Sequence, residues 1–207
     1  DNLPSDLACK FNASVDAERR QNIANNHSAT HLLHHALRSV LGTHIEQKGS
    51  WVGAKSFRFD FSHFEKISED DLRKIENIVN REIRENIARD EFRNVPVDEA
   101  KEMGAIALFG EKYSEKVRVI KFGDSIELCG GTHTSATGNI GLFKIISESA
   151  IAAGVRRIEA TTGENAQHIV QENEDLIKSV KAILGNAPNP EGSLNKLVAE
   201  NDTIKRE

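Results

Sequence analysis

Two short strings in this chain hold residues that bind metals. His27-Ser28-Ala29-Thr30-His31 sets two imidazoles four residues apart. On a helix, that spacing stacks both rings on one face, one turn apart. Cys129-Gly130-Gly131-Thr132-His133 sets a thiol and an imidazole at the same spacing. Thiolate and imidazole are strong zinc ligands, and three histidines with one cysteine make a plausible tetrahedral set. The paired glycines let the backbone turn tightly and approach a bound group. Each half has an ordinary alternative. Histidine-rich helices are common, and His34 and His35 follow at once. A free cysteine often serves as a small buried hydrophobe.

The flanking residues predict the elements that carry these strings. Leu33, Leu37, Val40 and Leu41 recur at helical spacing between Asn25-Asn26 and Gly42, which predicts a helix over about 27–41. Residues 43–61 read as strands, with Phe57, Phe59 and Phe61 alternating with Arg58 and Asp60. Ser68 and Asp71 resemble a capping box ahead of Leu72, Ile75, Ile78, Val79, Ile83 and Ile87, so a helix is expected over about 69–88. A shorter helix is expected over 98–104. Strand pairs are expected at 117–122 with 126–128, and at 141–149 with 155–161. Strands and helices interleave without regular βαβ alternation. The expected fold is α+β, a mostly antiparallel sheet with packed helices. Residues 164–207 read as a C-terminal helical extension broken at the prolines of 186–192, a hairpin or the start of a coiled coil. The expected division is 1–22 as the remnant of an upstream element, 23–163 as the core domain and 164–207 as the helical run. The chain opens on Asp1 rather than Met, which reads as a piece of something longer.

Composition narrows the function classes. With 207 residues, 38% hydrophobic and 29% charged, the chain can bury a core and is neither disordered nor collagen-like. No run approaches the roughly 20 apolar residues of a spanning helix, so no membrane role is expected. Two cysteines, Cys9 and Cys129, are too few for a disulfide framework, and no signal peptide precedes them. A reducing, cytoplasmic compartment is the default. A net charge of −5 disfavours a generic basic nucleic-acid binder, and no DNA partner is expected. Between Lys116 and Arg157, however, Lys116, Arg118, Lys121, Lys144, Arg156 and Arg157 outnumber Asp124, Glu127 and Glu148. Such a patch could hold a phosphate backbone or be an ordinary solvated face. There is no GxGxxG or Walker loop, and no HExxH.

The strings NHSATHLLH, RFDFSH, ALFGEKY, ELCGGTH and AGVRRIEA, in that order, resemble the editing domains of alanyl-tRNA synthetases over about residues 20–163. Freestanding alanyl-tRNA editing proteins and the second domain of threonyl-tRNA synthetases share the paired HxxxH and CxxxH motifs. The resemblance implies hydrolysis of mischarged Ser-tRNA(Ala) and Gly-tRNA(Ala), with the tRNA acceptor end as partner and one zinc ion as cofactor. ATP and magnesium would belong only to a synthetic domain outside this chain. A synthetic pocket that holds alanine separates it poorly from neighbours differing by one small group, so a second, hydrolytic site is needed.

By the same resemblance, the zinc ligands are His27, His31, Cys129 and His133. Gln47 and Thr30 line the pocket, and Thr30 recognises the serine hydroxyl. The Gly130-Gly131 amides are expected to hold a water near zinc and to stabilise the oxyanion. Whether three or four protein atoms bind the ion, and so whether it is catalytic or structural, stays open at this point. His34 is expected behind the ligands, while His44, His63 and His168 read as surface or packing residues. Lys112 and Tyr113, or one of Arg156 and Arg157, would meet the tRNA end. The helical run could pair with a second copy, and the oligomeric state stays open at this point. The rival readings are a freestanding editing enzyme, a zinc module that binds tRNA without turnover, and a zinc hydrolase for a small ester or peptide.

Overall fold

A computed structural model describes residue 10, residues 13–107 and residues 113–206. The first helix, α1 (Ala17–Leu41), starts well before the predicted 27. Its N-cap is Asp16, whose carboxylate accepts the Arg19 amide at 2.9 Å. The sequence from 17 to 26 lacks an apolar stripe, so periodicity could not reveal these turns, and part of them lies in the 17–22 stretch set apart above. Asn25 and Asn26 are buried inside the helix instead of capping it. Asn26 Nδ2 donates to the Gly53 carbonyl at 2.8 Å, and Asn26 Oδ1 accepts the Thr162 hydroxyl at 2.7 Å. Gly42 ends the helix at φ 113°, with its N–H on the Arg38 carbonyl.

β1 (Gln47–Val52) and β2 (Phe57–Ser62) are the strands expected within 43–61, and they pair antiparallel. Phe57, Phe59 and Phe61 are fully buried, while the intervening residues are half-buried. α2 (Glu69–Arg84) has the predicted Ser68 cap, 3.1 Å from the Asp71 amide. It stops short of the expected 88 because Asn86 takes a positive φ of 50°, which an α-helix cannot continue through. α3 (Val97–Glu102) is the short helix expected at 98–104.

β3 (Asp90–Pro96) was not foreseen: most of its residues are exposed and four are charged or polar, so no alternation marks it. β4 (Lys116–Phe122) and β5 (Ser125–Leu128) form the expected hairpin. Gly123, with φ 58°, opens its two-residue turn, as a type II′ turn requires. A single 3₁₀ turn follows at Thr137–Ile140. β6 (Phe143–Ala152) and β7 (Val155–Thr162) form the second expected pair.

The strands make two sheets, β1-β2-β7-β6 and β3-β4-β5, with antiparallel neighbours throughout. The fold is therefore α+β, with antiparallel sheets. The main core is built from Leu32, Leu33 and Leu37 of α1, the β2 phenylalanines, and Ile75 and Val79 of α2. A smaller cluster, including Val95, Ala100, Val117 and Val119, lies around β3, α3 and β4. At the edge strand β6, Asn80 exchanges hydrogen bonds with both backbone groups of Phe143, and Glu76 accepts the Ile145 amide. α2 thus occupies an edge that would otherwise be free to pair.

The chain divides into two units, with the boundary between Gly163 and Glu164. In the second unit, α4 (Gly163–Ile183) and α5 (Pro190–Ile204) are the expected helices. Asn186 (φ 58°) ends the first stretch, and Asn189 caps the second through the Gly192 amide at 3.0 Å. Leu176, Ile177, Leu194, Leu197 and Val198 on these helices are exposed. Among the described residues no helix is long and apolar enough to cross a membrane.

Candidate metal centre

α1 presents His27 and His31 on one face, and the loop leaving β5 brings Cys129 and His133 against them. One side-chain donor atom from each of the four lies within 4.8 Å of all the others. His27 Nε2 is 3.5 Å and His133 Nε2 3.3 Å from Cys129 Sγ. The His27 and His133 rings stack at 4.2 Å, and His31 meets His133 edge-on at 4.4 Å. Three imidazoles and a thiol converge with their ring nitrogens and sulfur inward.

Each ring is fixed from behind. His27 Nδ1 lies 3.2 Å from the Thr132 carbonyl. That acceptor requires the proton on Nδ1 and leaves the Nε2 lone pair facing Cys129. His133 Nδ1 lies 3.1 Å from Ser28 Oγ, which also accepts the Thr134 amide at 3.0 Å. His31 Nε2 sits 3.5 Å from Glu127 Oε2, whose other oxygen is 2.9 Å from His34 Nδ1. His31 Nδ1 is buried with no hydrogen-bond partner. Ring nitrogens held from behind and one orphaned buried nitrogen are what a metal ion would satisfy. The four residues fit such an ion.

The electrostatics agree. Burial drives His31 down from 6.5 to about 3, against the pull of Glu127. Burial, with His27 and Arg118 nearby, drives His133 to about 2. Burial also lowers His27. All three are neutral at pH 7 and offer lone pairs rather than protons. Burial raises Glu127, but His31 and His34 outweigh it and keep the carboxyl below its ordinary value.

The glycine pair divides its work. A Cβ on Gly131 would lie 2.1 Å from His27 Cε1 and 2.6 Å from its Nδ1, so only glycine lets that ring in. The Gly131 N–H points at Cys129 Sγ, 3.4 Å away, instead of facing open space. A Cβ on Gly130 would meet nothing, and Gly130 is exposed.

The turn is clamped by charge. Arg118 Nη1 donates to the carbonyls of Cys129 at 3.0 Å and Gly131 at 2.6 Å. Arg89 Nη1 donates to the His133 carbonyl at 2.8 Å. Glu91 on β3 links the two guanidiniums: Arg118 Nε is 2.9 Å and Arg89 Nη2 3.3 Å from its oxygens. Arg118 and Arg93 hold the Glu91 carboxyl down to about 2. Ser28, Arg89 and Glu91 were not singled out from the sequence, and Arg118 and Glu127 entered it only in the charge count of the 116–157 stretch. The only other trace was the placement of Ser28 between the two histidines and of Glu127 two residues before Cys129.

The other predicted residues lie as follows. Thr30 is buried, and its hydroxyl donates to the Asn26 carbonyl at 2.9 Å. Gln47 is half-buried at the start of β1, and its amide donates to Ser50 Oγ at 3.2 Å. Neither brings an atom to the cluster. Arg156 is buried and paired with Glu148, and Arg157 grips both oxygens of Asp60 at 2.6 and 2.8 Å. Both guanidiniums are paired within the sheet. His44 and His63 hydrogen-bond to each other at 3.1 Å on the surface. Lys112 lies outside the described residues, as does Cys9; Tyr113 is half-buried.

Residues 117–159 match the model of the threonyl and alanyl tRNA synthetase second additional domain. That stretch runs from β4 into β7 and includes Cys129 and His133. An alanine–tRNA ligase of Parabacteroides distasonis is 52% identical over 205 residues, covering 99% of this chain and 24% of the relative. The alanine–tRNA ligase of Bacteroides fragilis is 54% identical, with the same coverage of both chains. That of Porphyromonas gingivalis is 52% identical, with 23% of the relative covered. The chain belongs to the alanyl-tRNA synthetase family. It spans about a quarter of the length of these relatives, in the region that carries the family's editing domain. His27 and His31, on α1, precede the matched segment, so the four-donor cluster is completed by a helix outside it.

Proposed function

We propose that this chain hydrolyses the ester of mischarged Ser-tRNA(Ala) and Gly-tRNA(Ala), with zinc held by His27, His31, Cys129 and His133. The convergence of those four donors in a chain of this family carries the reading. Cysteine and imidazole donors at this spacing favour zinc over harder cations such as magnesium. Bound there, zinc would supply positive charge and Lewis acidity beside the ester.

The chain's own residues then have defined tasks. Thr132, Ser28 and Glu127 orient the three rings, and the Gly131 amide is aimed at the Cys129 sulfur. The exposed Gly130 amide is the member of the glycine pair left for a water or a developing oxyanion. The Thr30 hydroxyl spends its proton on Asn26, so its oxygen is free to accept from a seryl hydroxyl. Alanine would leave that acceptor unpaired and gain nothing from it. Gln47 is carried as a pocket residue by the family resemblance alone.

The test measures hydrolysis of Ser-tRNA(Ala) and Ala-tRNA(Ala) by this chain before and after chelation. Loss of the seryl ester alone, abolished by chelation and restored by zinc, is the expected result. Tight RNA binding and bound zinc without turnover would overturn it in favour of a binding module.

A further inference from the structure

Beside the ligand-bearing turn lies an open cleft of about 730 Å³. Gly130, Gly131, Thr132 and His133 form one side of it. Its other walls carry Arg20, Arg89, Arg93, Lys116 and Arg118 against a single carboxylate, Glu91. Arg89 and Arg118 are committed to the turn, as described above. Arg20 and Lys116 are exposed and have no ion-pair partner among the described residues. The Arg93 side chain is 74% exposed and shares Glu91 with two other guanidiniums. The cleft therefore keeps a surplus of positive charge on a chain whose net charge is −5.

A second hollow of about 260 Å³ shares Arg20 and Thr132 with the cleft, and Val15 and Ile23 give it apolar walls. Exposed cations next to an apolar hollow suit a ligand that alternates anionic links with flat apolar groups. A nucleic-acid strand has that chemistry. An acidic peptide does not need the hollow.

We propose that Arg20, Arg93 and Lys116 form a phosphate track that guides the single-stranded 3′ end of an RNA past Thr132 to the metal centre, with a base in the Val15–Ile23 hollow. The direction of travel rests on the hydrolytic reading above; the binding of the strand does not. Strand binding to such a track is salt-dependent, because each neutralised phosphate releases counterions.

The experiment titrates a fluorescent RNA hairpin with a short single-stranded 3′ end across a range of salt concentrations. It compares the wild-type chain with the triple variant Arg20→Ala, Arg93→Ala, Lys116→Ala. A second triple variant, Lys74→Ala, Arg81→Ala, Arg84→Ala, removes equal charge from α2. The slope of log affinity against log salt should shrink by about 2 in the cleft variant, at roughly 0.7 per single-strand phosphate contact. The α2 variant should keep the wild-type slope. Equal slopes in all three proteins overturn the track, as does displacement of the RNA by polyglutamate at matched charge. Metal content and circular dichroism establish that the variants are folded. Ester hydrolysis is scored separately. Strand binding with the expected slope but no turnover would sink the hydrolytic reading and leave the track standing. Turnover with an unchanged KM in the cleft variant would sink the track and leave the hydrolysis.

Discussion

At the scale of single residues, the centre is held by atoms that do not themselves face an ion. Gly131 is the sharpest case. Gly131→Ala places a methyl where the His27 ring sits, so metal affinity should fall by roughly 10–100-fold, the loss typical when ligand support is disturbed. Competition with a chromogenic chelator would measure this. Thr30→Val removes the hydroxyl but keeps the volume. Seryl-ester hydrolysis should drop about tenfold, for the loss of ~1–2 kcal/mol, while the glycyl ester is spared; an unchanged Ser-to-Gly ratio would remove Thr30 from recognition. Titration gives a further expectation for the chelated protein. His31 lies near 3 and His133 near 2 in the fold, against 6.5 unfolded. The unfolded chain therefore binds more protons below pH 6.5. Stability from these groups is whole above that value and drains away as pH falls toward 3. The hydrogen bond to Glu82 raises His35, which works in the opposite sense, so its contribution fades as pH rises. Thermal melts of the chelated chain between pH 7.5 and 4.5 should show the melting temperature falling with pH (both limits lie roughly around the 6.5 reference value).

At the scale of elements, β3 gives the ligand turn its rigidity. Glu91 spans Arg89 and Arg118, which together hold three carbonyls of the turn. Glu91→Gln keeps the size but loses the charge that aligns both guanidiniums. The expected result is a turn with faster amide exchange at Gly130–Thr134 and weakened metal retention, measured by hydrogen exchange and metal analysis. Elements with apolar periodicity were legible in advance: the β2 phenylalanines, the α2 stripe and the β4–β5 hairpin. β3 was not, because most of its side chains are exposed and only Val95 is buried, which leaves no alternation to read. The first turns of α1 were hidden for a related reason. Asn25 and Asn26 look like caps in one dimension but serve as buried hydrogen-bonding groups in three. The four donors could be paired from spacing alone. The atoms behind them could not, since Glu127 and Arg118 differ from ordinary surface charges only in what the fold places beside them.

At the scale of the molecule, the sheets and helices join two distant pieces of chain. Cys129 and His27 stand 102 residues apart in sequence. The predicted ligands come from a helix near one end of the first unit and a loop past its middle, so no shorter segment can build the site. Truncation that removes α1 should abolish metal binding outright, which metal analysis of the shortened protein would show. An ion seated between these pieces acts as a removable cross-link. In the chain-entropy picture, closing a loop of about 100 residues is worth up to about 4–5 kcal/mol. Losing the ion would therefore end the chemistry and reopen that loop in the same event. A protease added after chelation should cut the chain sooner than before it, so that a copy stripped of such an ion would also be the one most readily cleared.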